Sequence, residues 1–140
     1  MGLDMYLNAK RHFWTKEQAP RIEGVPEDYE VGAVDVDIAY WRKANAIHDW
    51  FVRNVQNGED NCGKYEVTRE HLQTLLDLCR QVKNDPSKAP ELLPTAEGFF
   101  FGPTEYDEWY FDSLQETINQ LYKALNSFDK NWRFEYHSSW

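Results

Sequence analysis

Residues 3–13, LDMYLNAKRHF, alternate between apolar and polar side chains. Leu3, Met5, Leu7 and Ala9 fall on one face, and Asp4, Tyr6, Asn8 and Lys10 on the other. A period of two predicts a half-buried strand, and its place near the N-terminus predicts a strand inside the sheet. The ending WRFEYHSSW repeats the pattern, with Trp132, Phe134, Tyr136 and Ser138 on one side and Arg133, Glu135, His137 and Ser139 on the other. Between these ends a helical period takes over. Ile38, Trp41, Ala44, Ile47 or His48, Phe51 and Val55 recur at steps of three or four. They predict a helix from Ile38 to about Gln56, capped by Asp35 or Asp37 and ended by Asn57–Gly58. Leu72, Leu75, Leu76, Cys79 and Val82 predict a second helix, with Thr68 as N-cap and Glu70 in its first turn. Tyr110, Leu114, Ile118, Leu121, Leu125 and Phe128 predict the third and most regular one.

The interruptions complete the outline. Residues 15–36 hold prolines, glycines and many charges without a sustained period, which predicts a long surface loop. Residues 59–63 read as a turn, and Lys64–Val67 as a short strand with Tyr65 and Val67 facing inward. Pro86, Pro90 and Pro94 mark a linker within the domain. Gly98–Gly102, GFFFG, reads as a short aromatic strand. Thr104 is placed to cap the third helix, with Asp107 where a capping-box carboxylate would stand. The predicted order is β-α-β-α-β-α-β over a single domain, residues 1–140. The fold class is α+β: a small, mostly antiparallel sheet of about four strands with three helices on one face.

Charge narrows the function. The chain carries 24 acidic and 15 basic residues, a net charge of -9, which argues against direct nucleic-acid binding, where a basic footprint is needed. It suits solubility, a basic protein partner or imitation of nucleic acid. The 6 Trp, 8 Tyr and 8 Phe exceed what a core of this size requires and suit interfaces and stacking sites. Two cysteines, Cys62 and Cys79, without C-x-x-C spacing, do not make a disulfide framework. With no basic-then-apolar leader, no long apolar run, and Tyr6 where a myristoylation site wants Ser or Thr, the reading is a cytoplasmic protein with reduced thiols and no membrane contact.

Motifs of known chemistry are missing. GFFFG puts bulky rings where a phosphate loop needs bare backbone, and no G-x-S-x-G elbow occurs. His12, His48, His71 and His137 lack the close spacing of zinc ligands, so no metal or cofactor is expected. Acidic pairs such as Glu59–Asp60 and Asp107–Glu108 suit solvated surface or helix N-termini better than a catalytic pair. One enzymatic alternative is a small hydrolase or transferase using His48 with Cys62 or a carboxylate. The candidate binding residues are Trp41, Arg42, Asn45 and His48 from the first helix, Thr104, Tyr106 and Tyr110 around the start of the third, and Tyr136, Ser138 and Trp140 from the end of the chain. Aromatics with a few donors suit a flat polar ligand such as a nucleobase, with Arg42 or the helix N-terminus at Thr104 receiving a phosphate. The same rings also suit a plain core.

The opening MGLDMYL, the run AYWRKANAIHDWF, the segment GFFFGPTEYDEWYF and the ending FEYHSSW together resemble a family of small proteins encoded by bacteriophages and prophages. The resemblance spans most of the chain and carries no catalytic motif with it. It implies an accessory protein in the cytoplasm of the bacterial host, host-directed or anti-defence. Such a protein would work without catalysis, by binding a host protein or sequestering a small nucleotide-like ligand, and a homodimer is compatible with it.

Overall fold

The computed structural model describes residues 2–98 and 101–140. Strand β1, Asp4–His12, lies between β2, Ala33–Arg42, and β4, Arg133–Ser139; the short β3, Tyr65–Val67, pairs with β4. The order is β2-β1-β4-β3, antiparallel throughout. Helices α1, Asn45–Asn54, α2, Arg69–Asn84, α3, Ala89–Leu92, and α4, Glu108–Ser127, complete an α+β domain. The helix count is thus four instead of three, because the proline-marked linker winds into a 3-10 turn at Pro86–Lys88 and then the single turn of α3.

The alternation in β1 has the physical consequence expected of it. Leu3, Met5, Leu7 and Ala9 are wholly buried, and across the ladder they meet Trp41, Ala39 and Val36 of β2 and Ser138, Tyr136 and Phe134 of β4. This inner face joins one core with Phe51 of α1, the α2 stripe of Leu72, Leu75, Leu76, Cys79 and Val82, and Leu114 and Leu121 of α4. The opposite face holds Asp4, Tyr6, Asn8, Lys10, Tyr40, Asp35, Asp37, Glu135 and His137, as the register requires.

The first predicted helix starts seven residues too early in the sequence reading. Ile38–Arg42 belong to β2, and Asp35 and Asp37 are strand residues, not caps. The cause is a β-bulge: the β1–β2 register shifts between Leu7 and Asn8, so Leu7 faces Ala39 while Asn8 faces Asp37. One extra residue on β2 moves the inward positions from Val34 and Val36 to Ala39 and Trp41. The resulting steps of two, three and two blur into a helical period. The loop predicted at 15–36 therefore ends at Gly32, and β2 forms a long hairpin with β1 closed by Phe13 N–H donating to the Gly32 carbonyl (2.9 Å).

Helix α1 begins where the ladder stops. Lys43 N–H donates to the Leu3 carbonyl (2.7 Å), Lys43 then takes a φ of 53°, and Ala44 starts the helix without a side-chain cap. Its end is as predicted: Asn57 and Gly58 have φ of 55° and 81°, and Gly58 N–H returns to the Val52 carbonyl (2.8 Å). Thr68 caps α2 as expected, within a reciprocal box whose return acceptor is His71 Nδ1. Asp107, not Thr104, caps α4, accepting from Tyr110 N–H at 3.0 Å. In the GFFFG segment, Phe99 and Phe100 lie outside the described residues; Gly98, Phe101 and Gly102 are not in a strand.

Two side chains tie α4 to the sheet. Trp41 Nε1–H donates to Thr117 Oγ1 (2.8 Å), both buried, and Gln120 brackets the Tyr40 backbone, accepting from its N–H (2.9 Å) and donating to its carbonyl (3.2 Å). Thr117→Val keeps the shape and leaves the indole N–H without an acceptor. We expect a loss of about 1–3 kcal/mol in urea unfolding; an unchanged midpoint and slope would show that this bond does not anchor α4.

Candidate functional site

His48 is the centre of the residues brought together. It lies on the buried side of α1, its side chain 1% exposed. Nδ1 lies 2.6 Å from the Tyr136 hydroxyl, and Nε2 lies 3.0 Å from Asp60 Oδ1 in the loop after α1. A carboxylate only accepts, so the neutral ring carries its proton on Nε2 and the Tyr136 hydroxyl donates to Nδ1. Burial pushes the His48 pKa down, with Asp60 and Asp49 opposing, which agrees with a neutral ring. Asp60 Oδ1 also accepts from Trp140 Nε1 (3.0 Å), so one carboxylate oxygen fastens both α1 and the last residue of the chain.

Asn45, one turn before His48, uses both ends of its amide. Its Nδ2 donates to the carbonyls of Phe101 (3.1 Å) and Pro103 (2.8 Å), and its Oδ1 accepts from Ala96 N–H (3.0 Å). The segment before α4 is thereby stitched to the start of α1. Gly102 fits this close approach: its φ is 84°, and a Cβ there would stand 3.1 Å from Lys43 Cβ. The rings continue the chain of contacts. Phe51 stacks on Tyr136 (3.9 Å between centroids), and Phe101 meets His48 edge-on (5.3 Å) and Trp140 (6.3 Å).

Of the residues expected to form a site, His48 and Tyr136 touch directly, Asn45 acts one turn away, and Trp140 joins through Asp60. Trp41 is committed to Thr117 and packs edge-on to Phe51 (6.1 Å). Arg42 is exposed at the end of β2, opposite Asp4. Thr104 is exposed and its carbonyl accepts from Thr95 Oγ1 (2.8 Å). Tyr106 accepts from Thr95 N–H (3.3 Å) and meets the Tyr110 ring edge-on; the buried Tyr110 hydroxyl donates to the Leu93 carbonyl (2.7 Å). Ser138 is buried facing Met5, its Oγ without a hydrogen-bond partner among the described residues. The hollow beside Asn45, lined also by Thr95, Pro103, Trp109 and Tyr110, holds about 10 Å³, well short of the several hundred a small-molecule site occupies.

The cluster is thus filled by its own side chains. Tyr136 is wholly buried, and burial together with the charges of Asp60 and Cys62 holds its hydroxyl protonated far above the usual range. Cys79 is buried in α2, its thiol pushed up to about 12 by burial, which makes it inert. Among the described residues no three His, Cys, Asp or Glu side chains are placed to hold a metal ion, and no helix is long and apolar enough to cross a membrane.

The predicted surface loop, with Trp14 just before it, stands in solvent. The 13–32 excursion between β1 and β2 exposes Trp14 (85%) and Tyr29 (71%), with Ile22 and Val25 partly exposed. Turns closed by Gln18, Val25 and Tyr29 N–H groups and an Arg21–Glu27 pair (2.8 Å) give this arm its own local order. On the open sheet face Tyr40, Tyr6 and His137 follow one another across three strands at 5.5 and 4.8 Å. The Tyr40 hydroxyl donates to Asp4, and Asn8 Nδ2 bridges Asp35 (2.8 Å) and Asp37 (2.9 Å). An exposed tryptophan inside an acidic, proline-rich loop was the available signal.

The His48 brace makes stability depend on pH. Its pKa is lowered in the folded state, so the unfolded chain binds the proton first. Its contribution is complete above about pH 6.5 and is lost as pH falls through that value toward the folded pKa, with a slope of up to about 1.4 kcal/mol per pH unit. His137, whose pKa is also lowered by burial, acts in the same direction. Urea melts between pH 7.5 and 5 should flatten in His48→Gln, and less so in His137→Gln; equal slopes in His48→Gln and the parent would contradict this assignment. No protein-family model matches the chain, and neither does any curated protein or solved structure; its function has to be read from its own residues.

Proposed function

We propose that this chain is an accessory binding protein of the phage type, which engages a bacterial host protein in the cytoplasm, as a host-directed or anti-defence factor, and does so without catalysis. The observation that carries the reading is the division between its aromatic groups. The rings that suggested a ligand pocket spend their polar atoms on internal hydrogen bonds, Tyr136 with His48, Trp140 with Asp60, Trp41 with Thr117, Tyr110 with Leu93 and Tyr106 with Thr95, whereas Trp14 and Tyr29 stand in solvent on the 13–32 arm. Exposed Trp and Tyr side chains that bury little in the free protein are the usual anchors of a protein–protein contact. The arm's charge suits a basic partner: Glu17, Glu23, Glu27, Asp28 and Glu30 outnumber Lys16 and Arg21.

The hydrolase or transferase alternative loses support from the same geometry. His48 is engaged on both nitrogens, by Tyr136 and by Asp60, which leaves neither free to take a proton from Cys62 or a substrate. Capture of a nucleotide at the predicted cluster would require a cavity larger than the one beside Asn45.

Trp14→Ala and Tyr29→Ala separate these readings. Both residues are exposed, so each variant should change folding stability by no more than about 0.5 kcal/mol. With a photocrosslinking residue in the arm, infected or expressing bacteria should yield a defined host adduct that is reduced at least several-fold in these variants. A thermal-shift panel of nucleotides, cyclic dinucleotides and metals should leave the transition unmoved. A ligand at about 1,000 times its Kd would add about 4 kcal/mol, and such a shift would overturn the reading.

A further inference from the structure

From the β1–β2 register we infer that the outer edge of β2 from Ala33 to Asp37 is a docking edge for a basic, extended segment of a partner protein, which adds as a further strand. The inference rests on the protein-binding reading above and names the surface and the partner's chemistry. Lys43 N–H bonds Leu3, and Phe13 N–H bonds Gly32, so the odd-numbered residues of β1 direct their backbone groups at β2. Their partners Val34 and Val36 point inward. By strand alternation the N–H and C=O of Ala33, Asp35 and Asp37 face away from the sheet.

The two ends of this edge are treated differently. At Tyr40 the outward N–H and C=O are both occupied by the Gln120 amide, a side chain standing in for a neighbouring strand. At Ala33, Asp35 and Asp37 no hydrogen bond takes the outward backbone groups among the described residues. The opposite edge of the sheet, β3, is blunted by being three residues long. The open stretch of β2 is also amphipathic and incompletely covered: Val34, Val36 and Ile38 are half-buried on one side, and Asp35 and Asp37 are exposed on the other.

Charge selects the occupant. A second copy of the chain pairing antiparallel on this edge would bring Asp35 and Asp37 against their own counterparts, a like-charge pairing that disfavours the dimer. A strand with Lys or Arg on one face and β-branched residues on the other meets both sides of β2 at once. Lys10 offsets part of the field, lying 3.6 Å from Asp35, but it is also held by Glu135 at 2.9 Å. Backbone bonds would supply affinity and the alternating side chains selectivity, as in other strand-addition complexes.

The test uses the whole chain and two short blocked peptides, one alternating lysine with valine and one alternating glutamate with valine. Amide NMR with hydrogen exchange should show the Lys/Val peptide slowing exchange at Ala33, Asp35 and Asp37, and the Glu/Val peptide leaving them unchanged. Asp35→Asn with Asp37→Asn keeps an acceptor for Asn8 and removes the charges, and should weaken binding about tenfold. Asp35→Pro deletes one outward N–H, a change an edge strand accommodates, and should abolish the added ladder while the circular dichroism stays that of the parent. The proposal is overturned if the lysine peptide fails to bind, or if its protection maps elsewhere. It is likewise overturned if the edge becomes protected with rising protein concentration alone, which would identify a second copy. Trp14 and Tyr29 lie off this edge, so failure here leaves host capture by the arm standing, and loss of arm capture alone would fell only the broader reading.

Discussion

The neutral imidazole of His48 is the constraint on which the rest of the domain depends. It ties α1 to the centre of β4 through Tyr136 and to the loop after α1 through Asp60, whose same oxygen also holds Trp140, the residue that follows β4. With Asn45 holding Ala96, Phe101 and Pro103 one turn earlier, α1 stitches the sheet to the segment before α4. A buried polar network of this kind stabilises only when each member is satisfied. The tautomer that lets Tyr136 donate and Asp60 accept meets that condition for the ring.

Because the brace consumes the polar groups that a site would need, the contact we propose lies on the surface. The inner rings, Trp41, Phe51, Phe134 and Tyr136, are core. Exposed rings lie elsewhere too, at Trp109, Tyr122 and Trp140, but among the described residues Trp14 and Tyr29 on the arm are the most exposed and stand among carboxylates that suit a cationic partner. The β1–β2 hairpin therefore carries both the fold's central strand and, among the described residues, its most exposed aromatic side chains. The bulge at Ile38 is what allows this, since it re-aims Ala39 and Trp41 into the core while the half of β2 before it runs outward with Asp35 and Asp37 exposed.

Much of the fold was legible in the sequence because local pattern and burial agree there. β1, β4 and α2 bury the stripes their periodicity marks, α4 buries Tyr110, Leu114 and Leu121 of its stripe with Ile118 and Leu125 half-buried, and Thr68 and Gly58 act as the start and stop signals they resemble. β2 was not legible, since a bulge inserts a phase shift that a fixed period cannot represent, and α1 starts at Ala44 without a capping side chain. The site was legible only in part. His48, Asn45 and Tyr136 could be singled out as polar groups beside aromatics, but the bond from His48 to Asp60 depends on a loop conformation with no pattern of its own. Whether such groups open onto a pocket or fill it is a matter of packing, which spacing along a chain does not encode.

Tyr136→Phe tests the central claim most directly, because it deletes one hydroxyl and nothing else from the His48 brace. If the brace is structural, the variant loses about 1–3 kcal/mol of unfolding free energy and engages the arm's partner with unchanged affinity. Unchanged stability accompanied by lost binding would contradict the account and return function to the buried cluster.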